Sequence, residues 1–171
     1  SCTGPRACYD ESKRFGETLS VVYREKFNMP ISIVRPFNVY GPGMSIYDKR
    51  LPADLAKCIK ENNDIILYSD GSPTRTFCYV ADAIVGFLKV LTNPNYDQYN
   101  IGIDKKESSV LELANCFRNI GREKFQYKGN IIQKINDDPQ YLKDNPNRRK
   151  PDISKARAIL NYDPKIDIAM G

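Results

Sequence analysis

Ile31-Ser-Ile-Val-Arg-Pro-Phe-Asn-Val-Tyr-Gly-Pro-Gly43 is a short apolar run that passes into a loop shaped by prolines and glycines. The run Ile31–Val34 is of the kind found in buried parallel strands, and the loop after it is set by the backbone limits of Pro36, Gly41, Pro42 and Gly43. Before it, residues from about Ala7 to Phe27 read as a helix. Leu19, Val22, Tyr23 and Phe27 form its apolar stripe, and Asn28-Met29-Pro30 stops it. After it, the pattern predicts a helix from near Leu51 to Lys60, a strand at Ile65–Tyr68 and a turn at Ser69–Ser72. An extended segment at Arg75–Val80 leads into an apolar helix opened by Asp82 as N-cap and running to about Leu91. Tyr99–Gly102 reads as a strand. Ser108-Ser109 caps a helix through Ile120, with Glu112 reaching back as in a capping box. Phe125–Tyr127 is expected to be a strand, Asp137–Pro151 a polar loop and Ile153–Leu160 a helix. Helices alternating with short apolar strands specify an α/β protein. Three or so strands make a poor sheet alone, so a partner domain or chain is expected to complete it.

Composition narrows the class. The 171 residues suffice for one compact domain, and the 41% hydrophobic and 27% charged content is that of an ordinary globular chain. No apolar run approaches the roughly 20 residues of a membrane helix, and no signal-peptide pattern opens the chain. The net charge of +5, with a cluster at Arg148-Arg149-Lys150, comes without a zinc finger, RNP motif or basic helix. An anionic small substrate is therefore expected rather than nucleic acid. The chain has five cysteines with no C-x-x-C spacing and no histidine. That excludes histidine-dependent triads and argues against a zinc site or a secreted disulfide framework. Reduced thiols in a cytoplasmic protein are the expectation.

Tyr9 and Lys13 stand four residues apart near the start of the first helix. Residues at i and i+4 share a helix face, so phenol and ammonium can point into one site. A neighbouring ammonium favours the phenolate, which makes the tyrosine a candidate acid/base for a hydroxyl group near neutral pH. Taken alone, the spacing also suits a solvated surface pair. Asn38 in turn suits a turn former and Arg75 a surface ion pair.

The ordered series Gly4-Pro-Arg-Ala-Cys-Tyr-Asp-Glu-Ser-Lys-Arg14, Arg35-Pro-Phe-Asn38, Tyr40-Gly-Pro42, Gly71-Ser-Pro-Thr-Arg-Thr-Phe-Cys-Tyr-Val80 with Asp82, and Arg148-Arg-Lys-Pro-Asp152 resembles the extended short-chain dehydrogenase/reductase family, which modifies nucleotide-sugars with bound NAD. Within it the first string looks most like the UDP-glucuronate decarboxylases. The resemblance runs from Gly4 to about Ile168. It implies an α/β fold made of the last strands of a Rossmann-type sheet and the small substrate-binding domain, with the catalytic helix at about 7–27 and the substrate-binding region at about 38–171. It also implies roles. Tyr9 would be the catalytic acid/base at the sugar 4-hydroxyl, and Lys13 would bind the nicotinamide ribose. Pro36 and Phe37 would wall the nicotinamide, with Arg50 beside the nucleotide. Asn38, Tyr68, Arg75, Arg149 and Asp152 would bind the substrate. Helices like this first one pair between subunits in the family, so a homodimer is expected, with no metal, no membrane and no nucleic acid.

The family's G-x-x-G-x-x-G turn, its adenosine-ribose acid and its Ser/Thr partner for the tyrosine have no counterpart in these residues. Roughly 150 further residues, one domain's worth, are therefore expected upstream, with the 171-residue piece idle by itself. Gly43 and Ser12 depart from the decarboxylase pattern and suit the related epimerases and 4,6-dehydratases as well. A non-catalytic nucleotide-diphosphate-binding or structural fragment is the alternative from another class.

Overall fold

Residue 4, residues 7–134 and residues 146–171 are described by the computed structural model. The elements follow in the order α1 (Ala7–Phe27), β1 (Ile33–Pro36), β2 (Val39–Tyr40), α2 (Leu51–Glu61), β3 (Ile65–Leu67), β4 (Thr74–Arg75), β5 (Cys78–Tyr79) and α3 (Val80–Leu91). Then come β6 (Gln98–Ile101), β7 (Ser108–Ser109), α4 (Val110–Phe125), β8 (Ile131–Gln133), β9 (Arg148–Arg149) and α5 (Ser154–Leu160). The α/β class holds.

Local chemistry accounts for several of the helix ends. Ser109 Oγ accepts from the Glu112 amide while Glu112 Oε2 accepts from the Ser109 amide, closing the expected capping box of α4. Asn62, Gln126 and Asn161 end α2, α4 and α5 in the left-handed conformation that lets a helix turn away. Several expectations are corrected. α4 runs on to Phe125, so Phe125–Tyr127 is not a strand; the strand is β8, paired with β3 from Ile65↔Ile131 to Leu67↔Gln133. β1 lies two residues later than Ile31–Val34 and includes Arg35 and Pro36. Tyr79, not Asp82, is the N-cap of α3. The Asp82 carboxylate accepts instead from the backbone amides of Lys165 (2.9 Å) and Ile166 (2.8 Å), pinning the C-terminal segment. Within the expected loop Asp137–Pro151, Arg148-Arg149 form β9, while residues 137–145 lie outside the described residues.

The strands join in small sets: β1–β6, β2–β5 and β3–β8 are parallel, and β4 lies between antiparallel β7 and parallel β9. Three hydrophobic clusters of the described residues hold them, the smallest being Cys78, Ala83 and Ile103 beside β2 and β5. One of the larger two, with Leu55, Ile65, Leu67, Phe77, Leu113 and Tyr127, fills the space between α2 and α4. The other, with Val90, Tyr99, Ile101, Ile153, Leu160 and Tyr162, joins α3 and α5 to β6. No residue of α1 is buried; Phe15, Leu19, Val22, Tyr23 and Phe27 are all exposed. Among the described residues, no helix is long and apolar enough to cross a membrane, and no cluster of acidic or cysteine side chains has the makings of a metal site.

Candidate functional site

α1 is fastened to the β1–β6 pair at two points, and these fix where its first turns lie. Arg24 Nη1 donates to the carbonyl of Tyr96, just before β6, at 2.6 Å. Near the end of β1, Arg35 makes a bidentate pair with Glu17, Nε to Oε1 at 2.6 Å. That pairing holds the Glu17 carboxyl below its ordinary range. Because β1 and β6 are parallel, moving back along α1 from Arg24 to Glu17 runs from the amino edge of the strands to their carboxyl edge. The helix from Glu17 back to Tyr9 adds roughly 12 Å at 1.5 Å per residue. Tyr9 and Lys13 therefore project beyond the carboxyl ends of the strands, where ligands of open parallel sheets bind. They share a face, with Lys13 Nζ 5.4 Å from the centre of the Tyr9 ring, and Tyr9 is 59% exposed. The Ser12 hydroxyl turns back onto the Tyr9 carbonyl at 2.8 Å.

Pro36 closes β1 and is exposed, and the Phe37 amide donates to the Ile101 carbonyl (2.9 Å), keeping the following loop against the end of β6. Asn38 comes next with a positive φ of 42°. Its Nδ2 donates to the Thr76 carbonyl at 2.8 Å, and its own carbonyl accepts from the Cys78 amide. The amide side chain thus ties the loop to the β4–β5 connection while Asn38 lines the cavity described next.

A cavity of about 580 Å³ opens between the start of α2, β3 and β4, and Asn38, Arg50, Tyr68, Arg75 and Arg149 all line it. Arg75 and Arg149 are register partners on β4 and β9 and face the same cavity. Arg75 Nη1 donates to the carbonyls of Thr74 (2.7 Å) and Asn147 (3.2 Å). Among the described residues, no ion pair forms at Arg149. Two guanidinium groups at register positions on one cavity wall are of the chemistry that binds an oxyanion. Arg50 belongs to this group rather than to Pro36 and Phe37, which do not line the cavity. Its guanidinium is held by Asp48, with Nη2 to Oδ2 at 2.7 Å. Asp152 stands apart: its carboxylate accepts from the Ser154 amide at the start of α5, and its carbonyl accepts from Asn100. Lys49 was missed by sequence reasoning. It lines the cavity from a left-handed backbone (φ 62°), and the charged triplet Asp48-Lys49-Arg50 ahead of the proline-led α2 was its one signal.

A larger hollow of about 680 Å³ lies between α2, α4 and the C-terminal segment, lined mainly by apolar groups with Lys60 and Lys124. It contains none of the expected site residues. The smaller cavity, with its converging cations, is the candidate site.

The profile of the NAD dependent epimerase/dehydratase family matches residues 1–102. UDP-glucuronic acid decarboxylase 2 of Arabidopsis thaliana is 34% identical over 98% of this chain, which covers 36% of that protein. UDP-glucuronic acid decarboxylase 6 of the same plant is 33% identical, with 46% of its length covered. Among solved structures, a UDP-glucuronic acid 4-epimerase from Bacillus cereus in complex with UDP-glucuronic acid and NAD superposes with a TM-score of 0.69 at 28% identity, over 90% of this chain and 46% of that one. A UDP-glucose 4-epimerase from Thermotoga maritima shares the fold, with a TM-score of 0.82 at 20% identity over 95% of this chain and 50% of that one. The chain thus spans about a third to a half of the length of these relatives. With the profile covering well over half of its residues, the chain belongs to the NAD dependent epimerase/dehydratase family.

Proposed function

We propose that this chain is the C-terminal, substrate-binding part of an enzyme that uses bound NAD to modify a nucleotide-sugar, with UDP-glucuronate decarboxylated to UDP-xylose through a 4-keto sugar. The observation that carries the reading is the in-register Arg75/Arg149 pair facing a cavity lined also by Tyr68, Asn38 and Lys49. A diphosphate is the anion whose charge and oxygen geometry match two guanidinium groups side by side. Decarboxylases of UDP-glucuronic acid at 33–34% identity support that substrate.

The residues present fit the nicotinamide end of the cofactor. Tyr9 is open to solvent, Lys13 stands beside it, and Pro36 is exposed at the end of β1. The glycine-rich pyrophosphate turn is not among the 171 residues. When bound, NAD supplies the hydride acceptor and donor. Tyr9 Oη takes the proton of the sugar 4-hydroxyl and returns it at the end of the cycle, and the Lys13 ammonium favours the phenolate that does so. Arg75 and Arg149 hold the diphosphate, and Pro36 and Phe37 wall the reaction from water. Once C4 is a ketone, the carboxylate on C5 is that of a β-keto acid and leaves as carbon dioxide; its bonding pair passes into the enolate of the C4 ketone, which takes a solvent proton at C5.

Epimerisation of UDP-glucuronate at C4 is the second reading, favoured by the likeness to the Bacillus cereus enzyme. Both readings use the same Tyr9/Lys13 chemistry. Incubating the enzyme that contains this chain with NAD and UDP-glucuronate distinguishes them: UDP-xylose and carbon dioxide are expected. UDP-galacturonate would establish the second reading, and recovery of unchanged UDP-glucuronate would defeat both. The 171-residue chain alone is expected to bind UDP without turnover.

The apolar stripe of α1 is assigned to a second copy of the chain, and the cytoplasm is the proposed compartment, where its described cysteines, all free, stay reduced. Sedimentation at micromolar concentration is expected to give a dimer that Leu19→Arg dissociates; a wild-type monomer would refute this assignment.

A further inference from the structure

Strand alternation places opposite roles on the two faces of the β7–β4–β9 ladder. Arg75 and Arg149 face the cavity, while their neighbours Thr74 and Arg148, also register partners, face away. Glu107, immediately before β7, reaches that outer face. Its Oε2 accepts from Thr74 Oγ1 at 3.1 Å and from Arg148 Nε at 2.8 Å, and its Oε1 lies 3.9 Å from Lys150 Nζ. One carboxylate thus holds the residues on both sides of Arg149 and the residue next to Arg75. The Arg148 bond first, and the Thr74 bond after it, keep its pKa down at about 2, so it stays charged at any working pH.

We propose that Glu107 is a positioning residue: by clasping Thr74, Arg148 and Lys150 on the outer face, it sets the register in which Arg75 and Arg149 converge on a nucleoside diphosphate. The proposal rests on the diphosphate reading of the cavity. β4 and β9 have two paired residues each, so their own ladder is short, and a charge-assisted contact across them has a large share in holding that register. Arg148 and Lys150 would otherwise repel each other, and Glu107 lies within reach of both.

Charge alone and position predict opposite signs. Glu107→Gln leaves Arg148 and Lys150 without their counter-ion, raising the positive potential near the cavity; if charge were all that mattered, an anion would bind more tightly. Loss of register makes it bind more weakly. Calorimetric titration of the full chain with UDP, uridine and inorganic pyrophosphate reads the difference. For Glu107→Gln, UDP and pyrophosphate are expected to bind about tenfold more weakly with uridine unchanged. In an Arg149→Ala background the same substitution is expected to have almost no further effect, because Glu107 acts through Arg149. Thr74→Val, which removes a clasp bond without touching any charge, is expected to give a smaller loss of the same kind. It also serves as the test if Glu107→Gln fails to fold. Unchanged or tighter UDP and pyrophosphate binding, equal losses for UDP and uridine, or additive effects with Arg149→Ala would each overturn the proposal. Wild-type binding of pyrophosphate but not UDP would sink the nucleotide reading alone, the clasp then being judged on pyrophosphate. Binding of neither would overturn both.

Discussion

Gly86 and Gly16 both lie inside helices, yet the same substitution should stabilise the second and not the first. A Cβ at Gly86 would stand 2.6 Å from Ile101 Cγ2, 3.0 Å from Tyr162 Cε2 and 3.1 Å from Ile101 Cδ1, where α3 crosses β6. Neither neighbour has room to yield. Ile101 is 0% and Tyr162 1% exposed, and the Tyr162 hydroxyl donates to the Gly102 carbonyl at 3.1 Å. A Cβ at Gly16, on the open face of α1, would meet nothing within 4 Å. Alanine gains about 1 kcal/mol over glycine in a helix interior, a gain common to both sites. Overpacking a rigid core costs about 1–3 kcal/mol and falls on Gly86 alone. Gly16→Ala should therefore stabilise by up to about 1 kcal/mol, and the gap between the two variants should be about 1–3 kcal/mol, the packing cost by itself. Urea unfolding followed by far-UV circular dichroism measures both, and equal m-values would show that the denatured states are comparable. If Gly86→Ala unfolded at the same urea concentration as Gly16→Ala or a higher one, the close approach of α3 to β6 would not be as described.

Arg149→Ala should weaken UDP binding by about 1.5–3 kcal/mol, the range for hydrogen bonds to charged groups, and leave uridine binding as it was; an equal loss for both ligands would remove Arg149 from the phosphate site. Acid should destabilise the fold over a defined window. Arg148 and Thr74 hold Glu107 at about 2, against an ordinary 4.5, and Lys165 and Lys105 hold Asp163 at about 2, against 3.8. Folded pKa values below the unfolded ones mean stability that is present above those ordinary values and lost as the pH falls toward 2. Glu107→Gln with Asp163→Asn should flatten the stability profile between pH 4.5 and 2, and an unaltered slope there would count against both pairings. In the enzyme proposed to contain this chain, Tyr9→Phe should lower kcat by roughly 100- to 10,000-fold with UDP affinity intact; preserved turnover would exclude Tyr9 as the acid/base.

How far the sequence could be read depended on the range of each interaction. The capping box of α4 was legible because Ser109 and Glu112 are three residues apart and make their bonds wherever the helix forms. Asp82 was misread for the complementary reason: as a residue near a helix start it suits an N-cap, but the amides it accepts from belong to Lys165 and Ile166 at the far end of the chain. Phe125–Tyr127 has the composition of a strand, yet the left-handed turn at Gln126 and the packing of Tyr127 between α2 and α4 carry the helix to Phe125. The tyrosine/lysine pair was legible as a helical spacing, and Lys13 does stand beside the Tyr9 ring.

By itself the sequence determined the helices, the α/β class and the Tyr9/Lys13 face, all of which follow from spacings of a few residues. It also carried the ordered motifs that mark the family. Only the tertiary structure decided which cations share a cavity: Arg75 and Arg149 meet because β4 pairs with β9, Arg50 and Lys49 join them from the start of α2, and Asp152 turns to its own helix. It alone put Glu107 behind the two arginines. Two-residue strands carry too little pattern to announce their partners. Their pairing is set by hydrogen bonds and charges between segments far apart in the chain, which become neighbours only when the core closes.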